Sequence, residues 1–298
     1  LSGFLPVQAQ SPTPTTTIQN GNADTRLQLN YDGGFYIPGI GPSDTGTPAD
    51  SIPATGAGTR LMWYPAKAAF RAGRVGRVKD GTQWDAAKVG DYSVAFGVDT
   101  KASGPNATAM GNETTASSVN ATALGSFSTA SGRSATAMGD NTTASGPDAT
   151  AMGDGTIASG PDATAMGDNT TASGSDATAM GEFTTASGPD ATAMGDGTIA
   201  SGPDATAMGD GTTASGSDAT AMGIRTTAAT DQSLSIGAYN SANTSADGTL
   251  LVAGNGSFGD NSDALVLKKD GDLALGPSDP QDLRLHVAKD KPNAGVGD

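Results

Sequence analysis

Between Tyr92 and Ser245 apolar and polar residues recur with a period of 14, without a gap, through eleven copies. The consensus D-A-T-A-M-G-D-[GN]-T-[TI]-A-S-G-P runs from YSVAFGVDTKASGP, the divergent first copy, to QSLSIGAYNSANTS, the divergent last. Side chains on a strand alternate faces with a period of two, so positions 3 and 5 share one face and position 4 takes the other. Position 5 is Phe96, Met110, Leu124, Met138, Met152, Met166, Met180, Met194, Met208, Met222 and Ile236, and this apolar ladder is expected to form the interior. Position 3, Val94 in the first copy, Leu234 in the last and Thr between, is expected to point the same way. A second strand, T-x-A-S-G, would turn its Ala inward. Glycines at positions 6 and 13 are expected at the corners between strands, where positive φ is needed.

Two short strands and two tight corners per copy describe one coil of a parallel β-roll, so the predicted class is all-β, a β-solenoid of eleven coils. A helix is excluded, because a glycine every seven residues would cost about 1 kcal/mol each and no i, i+3, i+4 apolar face exists. One Met and a few Ala methyls per coil bury little apolar area against the entropy of ordering fourteen residues. Burial against sister chains would make up the difference, and a homo-oligomer is predicted.

The flanks differ in texture. Residues 1–10, LSGFLPVQAQ, read as the remnant of a secretory signal, with Val7-Gln8-Ala9 like a cleavage site. Residues 11–24 are rich in Pro, Thr and Asn and read as a flexible leader. Residues 25–91 carry a hairpin pattern around Asp32-Gly33-Gly34 and, with Trp63, Tyr64, Phe70 and Trp84, the only conventional core material, so they are expected to cap the array. An aromatic carbohydrate site around Trp63 and Trp84 is the competing reading. Residues 92–245 are the roll, 246–287 a second β cap or neck, and 288–298 a flexible tail.

Charge narrows the partners. The chain holds 31 acidic against 16 basic residues, a formal charge of −15, and within the repeats only Lys101, Arg133 and Arg225 are basic. Such a surface repels phosphate backbones and anionic headgroups, so nucleic acid is excluded as a partner. No run of 18 apolar residues occurs, so no helix of this chain is expected to insert in a membrane. There is no cysteine, hence no disulfide and no thiolate metal site.

Candidate chemistry is sparse. Stacked carboxylates at position 7, Asp154, Asp168, Asp196 and Asp210, and at position 1, Asp148 to Asp218, would repel by roughly 1 kcal/mol per neighbour in water. Bound Ca²⁺ could offset that, although the spacing is not that of calcium-binding nonapeptide rolls; a solvated acidic corner is the simpler reading. An outward row at position 10, mostly Thr with Ile157 and Ile199, is similar to ice-binding threonine faces but lacks a consistent T-x-T. His286 is the only histidine and the Ser of A-S-G has no base, so neither a catalytic residue nor a bound cofactor is expected.

The pattern [YN]-S-V-A-[IFM]-G-x-x-[AT]-x-A-x-G-x, which YSVAFGVDTKASG at 92–104 and QSLSIGAYNSA at 232–242 match closely, resembles the head repeat of YadA-type trimeric autotransporter adhesins. That resemblance implies a left-handed parallel β-roll, three chains about one axis, a secreted or cell-surface location, and an extracellular surface, matrix or glycan ligand. TRLMWYPAKAAFRAG and GDNSDALVLKKDGDLALGPSDPQDLRLHV are similar to segments of secreted or phage-tail fibres of the endosialidase-chaperone type, which makes a tail-fibre segment the alternative to an adhesin head. The family's heptad stalk and membrane β-barrel have no counterpart up to Asp298, so the chain reads as a fragment or as differently anchored.

Overall fold

A computed structural model of the chain describes residues 16–19, 25–29, 35–36, 55–77, 81–240 and 248–276. The expected signal remnant, the flexible tail and His286 lie outside them. All its extended structure is β, a parallel solenoid with about 14 residues per turn, and the described residues include no α-helix. The chain divides into two compact units, Leu1–Phe127 and Ser128–Asp298.

The first unit contains a three-stranded antiparallel sheet of β1 (Thr16–Gln19), β2 (Thr25–Leu29) and β3 (Phe35–Tyr36). The register Leu29 to Phe35 and Gln28 to Tyr36 is the hairpin expected around Asp32-Gly33-Gly34. Strand β1 falls in the segment read as a flexible leader; its β-branched TTIQ pairs along β2 despite the flanking prolines. Strands β4 (Gly58–Tyr64) and β5 (Ala69–Val75) form a second antiparallel hairpin, and β5 then runs parallel to the first strand of coil 1, Phe70 beside Val94 and Arg71 beside Ala95. Two small clusters, Met62 with Val75 and Trp84, and Tyr64 with Ala69 and Val89, anchor this hairpin. Trp84 is buried and its Nε1 donates to the Thr100 carbonyl at 2.8 Å. Coils 1 and 2 and the first strand of coil 3 follow in parallel register.

In the second unit each coil repeats the same geometry. A five-residue strand covers positions 3–7, as in Thr164–Asp168, and a two-residue strand covers positions 10–11, as in Thr171–Ala172. Like pairs with like at an offset of 14: Ala165 with Ala179, Met166 with Met180, Ala172 with Ala186. Successive coils are therefore about 4.8 Å apart, one strand spacing. After the last coil the strand Thr249–Asn255 continues the parallel sheet, and Asp263–Lys268 and Leu273–Leu275 close it antiparallel.

The alternation within each strand is as expected but its phase is reversed. The interior of the coil is built from Ala at positions 2, 4 and 11, Thr at position 9 and Gly at position 13; Ala163, Ala165, Thr170 and Ala172 have no exposed surface. None of the position-5 ladder is interior to its own chain: Phe96 and Met110 are exposed and the other nine are half-buried. The thinness of the roll is the reason. Only small side chains, Ala and Thr, fill the interior of these coils, and a Met there would force the coil open.

The corners also differ from expectation. Gly167, at position 6, has φ +127 but lies within the strand, while the left-handed corner residues are Asp162 at position 1 (φ +56) and Asn169 at position 8 (φ +50). Gly174, at position 13, has no positive φ; a Cβ there would come 1.9 Å from the Gly188 carbonyl oxygen, so the requirement is close approach between coils.

Candidate interaction surface

Positions 3, 5 and 7 share the outer side of the longer strand, because that strand alternates and its even positions fill the coil. Coil by coil this lays down three parallel files in the second unit: Thr150, Thr164, Thr178; Met152, Met166, Met180; Asp154, Asp168, Glu182, each in direct register with the next. The methionine file continues through Met194, Met208 and Met222 to Ile236. A continuous apolar stripe of this kind, rimmed by Thr and carboxylates, is uncommon on a monomer and marks a contact surface. In the first unit Val94, Phe96 and Val98 carry the same face, with the Phe96 ring 5.5 Å from that of Phe70.

The second strand presents a different surface. Thr at position 10 points outward beside the exposed Ile157 and Ile199, whereas Thr at position 9 is buried. The hydroxyls of Thr156, Thr170, Thr184, Thr198, Thr212 and Thr226 have no hydrogen-bond partner, but Thr142 donates to Ser128 Oγ at 2.8 Å and Ser128 in turn to the Gly139 carbonyl at 2.9 Å. Half the threonine of each T-T pair is thus spent inside the coil, where its methyl packs.

Two features lie beyond the repeat pattern. Phe183 occupies position 8, where neighbouring coils carry Asn or Gly, with φ +50 and 56% exposure. It was visible only as a departure from consensus. Arg71 takes the place in β5 that Ala takes in the coils; it is wholly buried and donates to the carbonyls of Phe70, Ser93 and Ala102 and to Ser93 Oγ, at 2.7–2.9 Å. Burial pulls its pKa down to about 10. Nothing in the sequence distinguishes it from a surface arginine.

The sequence profile of the YadA head domain repeat matches seven stretches, from residues 89–114 to residues 214–240, which together make up half of the chain. The chain belongs to the YadA head-repeat family. No curated protein matches it over its length. The match to YadA head repeats runs from residue 89 to residue 240, into coil 11, and the likeness of the flanking segments to endosialidase-type fibres is not shown.

Within these YadA head repeats the other candidates fall as follows. Asp154 lies beside Asp168, and Asp196 beside Asp210, with Glu182 between the two pairs. Among the described residues no three carboxylate or imidazole groups converge as a metal ion would require. Asp168 instead accepts from Asn169 Nδ2 at 2.7 Å, and at position 1 Asp148 is paired with Arg133 at 2.8 Å. Trp84 is a packing residue and offers no exposed platform to a sugar, and Trp63 is half-buried.

Proposed function

We propose that this chain is the head of a homotrimeric extracellular fibre that attaches its bearer to an outside surface, with no catalytic role. The observation that carries this reading is the in-register Thr and Met stripe left open by every coil. Three such stripes meeting about an axis would enclose the methionines in an apolar core that a single thin roll lacks. On this reading position 5 is a core ladder after all, shared among chains. The acidic corners at positions 1 and 7 then face outward and keep neighbouring fibres apart. Membership in the YadA head-repeat family supports both the assembly and the adhesive role.

The test is antibody labelling of the intact source. Antibodies against coils 4–7 are expected to label unpermeabilised cells, and their Fab fragments to block attachment. Labelling only after permeabilisation would contradict the proposal; labelling of phage-like particles would favour the tail-fibre segment.

A further inference from the structure

One stretch of the second unit carries more than a repeated corner. Phe183 projects from position 8 of its coil, and the next two coils have Gly197 and Gly211 at that position. A Cβ at Gly197 would meet nothing closer than 3.8 Å, so this corner of the next coil carries no side chain and has room for one. The following coil closes the gap with Arg225, whose Cγ would stand 3.1 Å from a Cβ on Gly211. Three coil steps, about 14 Å, separate the two walls. Ile199, 41% exposed, stands at position 10 of the coil that carries Gly197, and Asp196 and Asp210 stand in register at position 7 of that coil and the next.

A bulky residue in the left-handed region costs about 1 kcal/mol or more, and Asn or Gly would avoid that cost, as they do in adjoining coils. The ring is nevertheless held outward. The charge around it is mostly negative: residues 134–225 include twelve Asp or Glu against one cation, Arg225, whose guanidinium is turned to the Phe258 ring. An exposed aromatic face next to an aliphatic residue and paired carboxylates suits a cation with an apolar stem, which is the chemistry of arginine and lysine. The chain contains its own example at the same corner, where the Arg225 guanidinium lies 5.8 Å from the centre of the Phe258 ring.

We infer that the notch between Phe183 and Arg225 is a docking site for an arginine- or lysine-bearing segment of another protein. A cationic head stacks on Phe183, its stem lies on Ile199, and Asp196 and Asp210 receive its N–H groups. The inference rests on the reading above that this corner faces outward in the assembled head.

The test uses the full chain and a fluorescein-labelled deca-arginine peptide, with binding followed by anisotropy at about 0.15 M salt, where long-range attraction is largely screened. The double variant F183N/I199T places at both positions residues that other coils carry, leaves the net charge unchanged and preserves the fold. It is expected to bind the peptide about tenfold or more weakly than the parent, and D196N/D210N to weaken binding as well. Equal affinity of the parent and F183N/I199T would overturn the inference, since binding would then be diffuse attraction to a polyanion. Failure to bind the peptide, with Phe183-dependent binding of a neutral oligosaccharide instead, would overturn it in favour of a sugar site. Light scattering on the same samples reports the assembly separately, so failure of the trimer and failure of the notch are distinct results.

Discussion

Met166 and Met180 stand side by side on adjacent coils, and neither is buried, while Ala165 and Ala179, one residue earlier, are wholly enclosed. The two files serve different levels of structure: alanine closes the coil, and in the proposed trimer methionine meets a partner. Substitutions should therefore separate by level. Met180→Lys is expected to spare the coil but weaken the assembly, lowering the apparent mass at micromolar concentration. Ala179→Leu overfills the coil itself and is expected to cost about 1–3 kcal/mol or more in chemical denaturation.

Glycine at position 13 should be intolerant for a reason visible in one distance. A Cβ on Gly174 would lie 1.9 Å from the Gly188 carbonyl, and backbone cannot yield as a side chain can. Gly174→Ala is expected to destabilise by about 3 kcal/mol or more. Gly197→Asn, at an open left-handed corner of the kind Asn169 already occupies, is expected to fall within about 0.5 kcal/mol of the parent. Thermal melts of the two variants side by side check the contrast.

The buried hydroxyl of Thr184 makes no hydrogen bond, so removing it should help. Thr184→Val keeps the shape, deletes a desolvated polar group and is expected to raise stability by about 1 kcal/mol. Ser128, which both donates and accepts, should show the opposite sign: Ser128→Ala is expected to lower stability by about 1 kcal/mol. Denaturant midpoints at an unchanged slope would report both.

Arg71, on the strand next to coil 1, offers guanidinium hydrogens to the carbonyls of Ser93 and Ala102. Arg71→Met strands those carbonyls and is expected to destabilise by about 2–4 kcal/mol. Burial holds the folded pKa near 10, below the ordinary arginine value, so between the two the unfolded chain binds more protons than the folded one. The contribution of Arg71 is therefore constant below about pH 10 and grows as pH rises through that window. The stability gap between parent and Arg71→Met should widen there.

The acidic files repel along the stack, and salt should relieve them. The melting temperature is expected to rise with NaCl, and replacing part of the NaCl by CaCl₂ at constant ionic strength to add nothing, because Asp154, Asp168, Asp196 and Asp210 lie in a row without converging. A calcium-specific rise would assign them a metal after all.

The period, the strand alternation and the solenoid were legible in the sequence, because fourteen-residue self-similarity and a period of two are properties of the letters alone. The phase was not. Alternation says that Ala165 and Met166 face opposite ways, but which of them faces the coil depends on how far apart the two strands of the coil lie, a tertiary distance. The larger apolar residue is the natural choice for an interior, and in a roll this thin it is the wrong one. Phe183 could be seen as a departure from consensus, yet its left-handed backbone and the glycine gap beside it exist only once the coils are stacked. Arg71 had no signal at all, since its burial is set by the register of β5 against coil 1.

The central claim is that the stripe of Thr and Met is an interface among three copies of one chain. The most direct measurement is the mass of the folded chain in solution by light scattering or sedimentation equilibrium. A trimer has three times the chain mass of 29.2 kDa, and Met166→Lys/Met180→Lys/Met194→Lys is expected to fall to one chain. A folded, stable species of 29.2 kDa in the parent would contradict it.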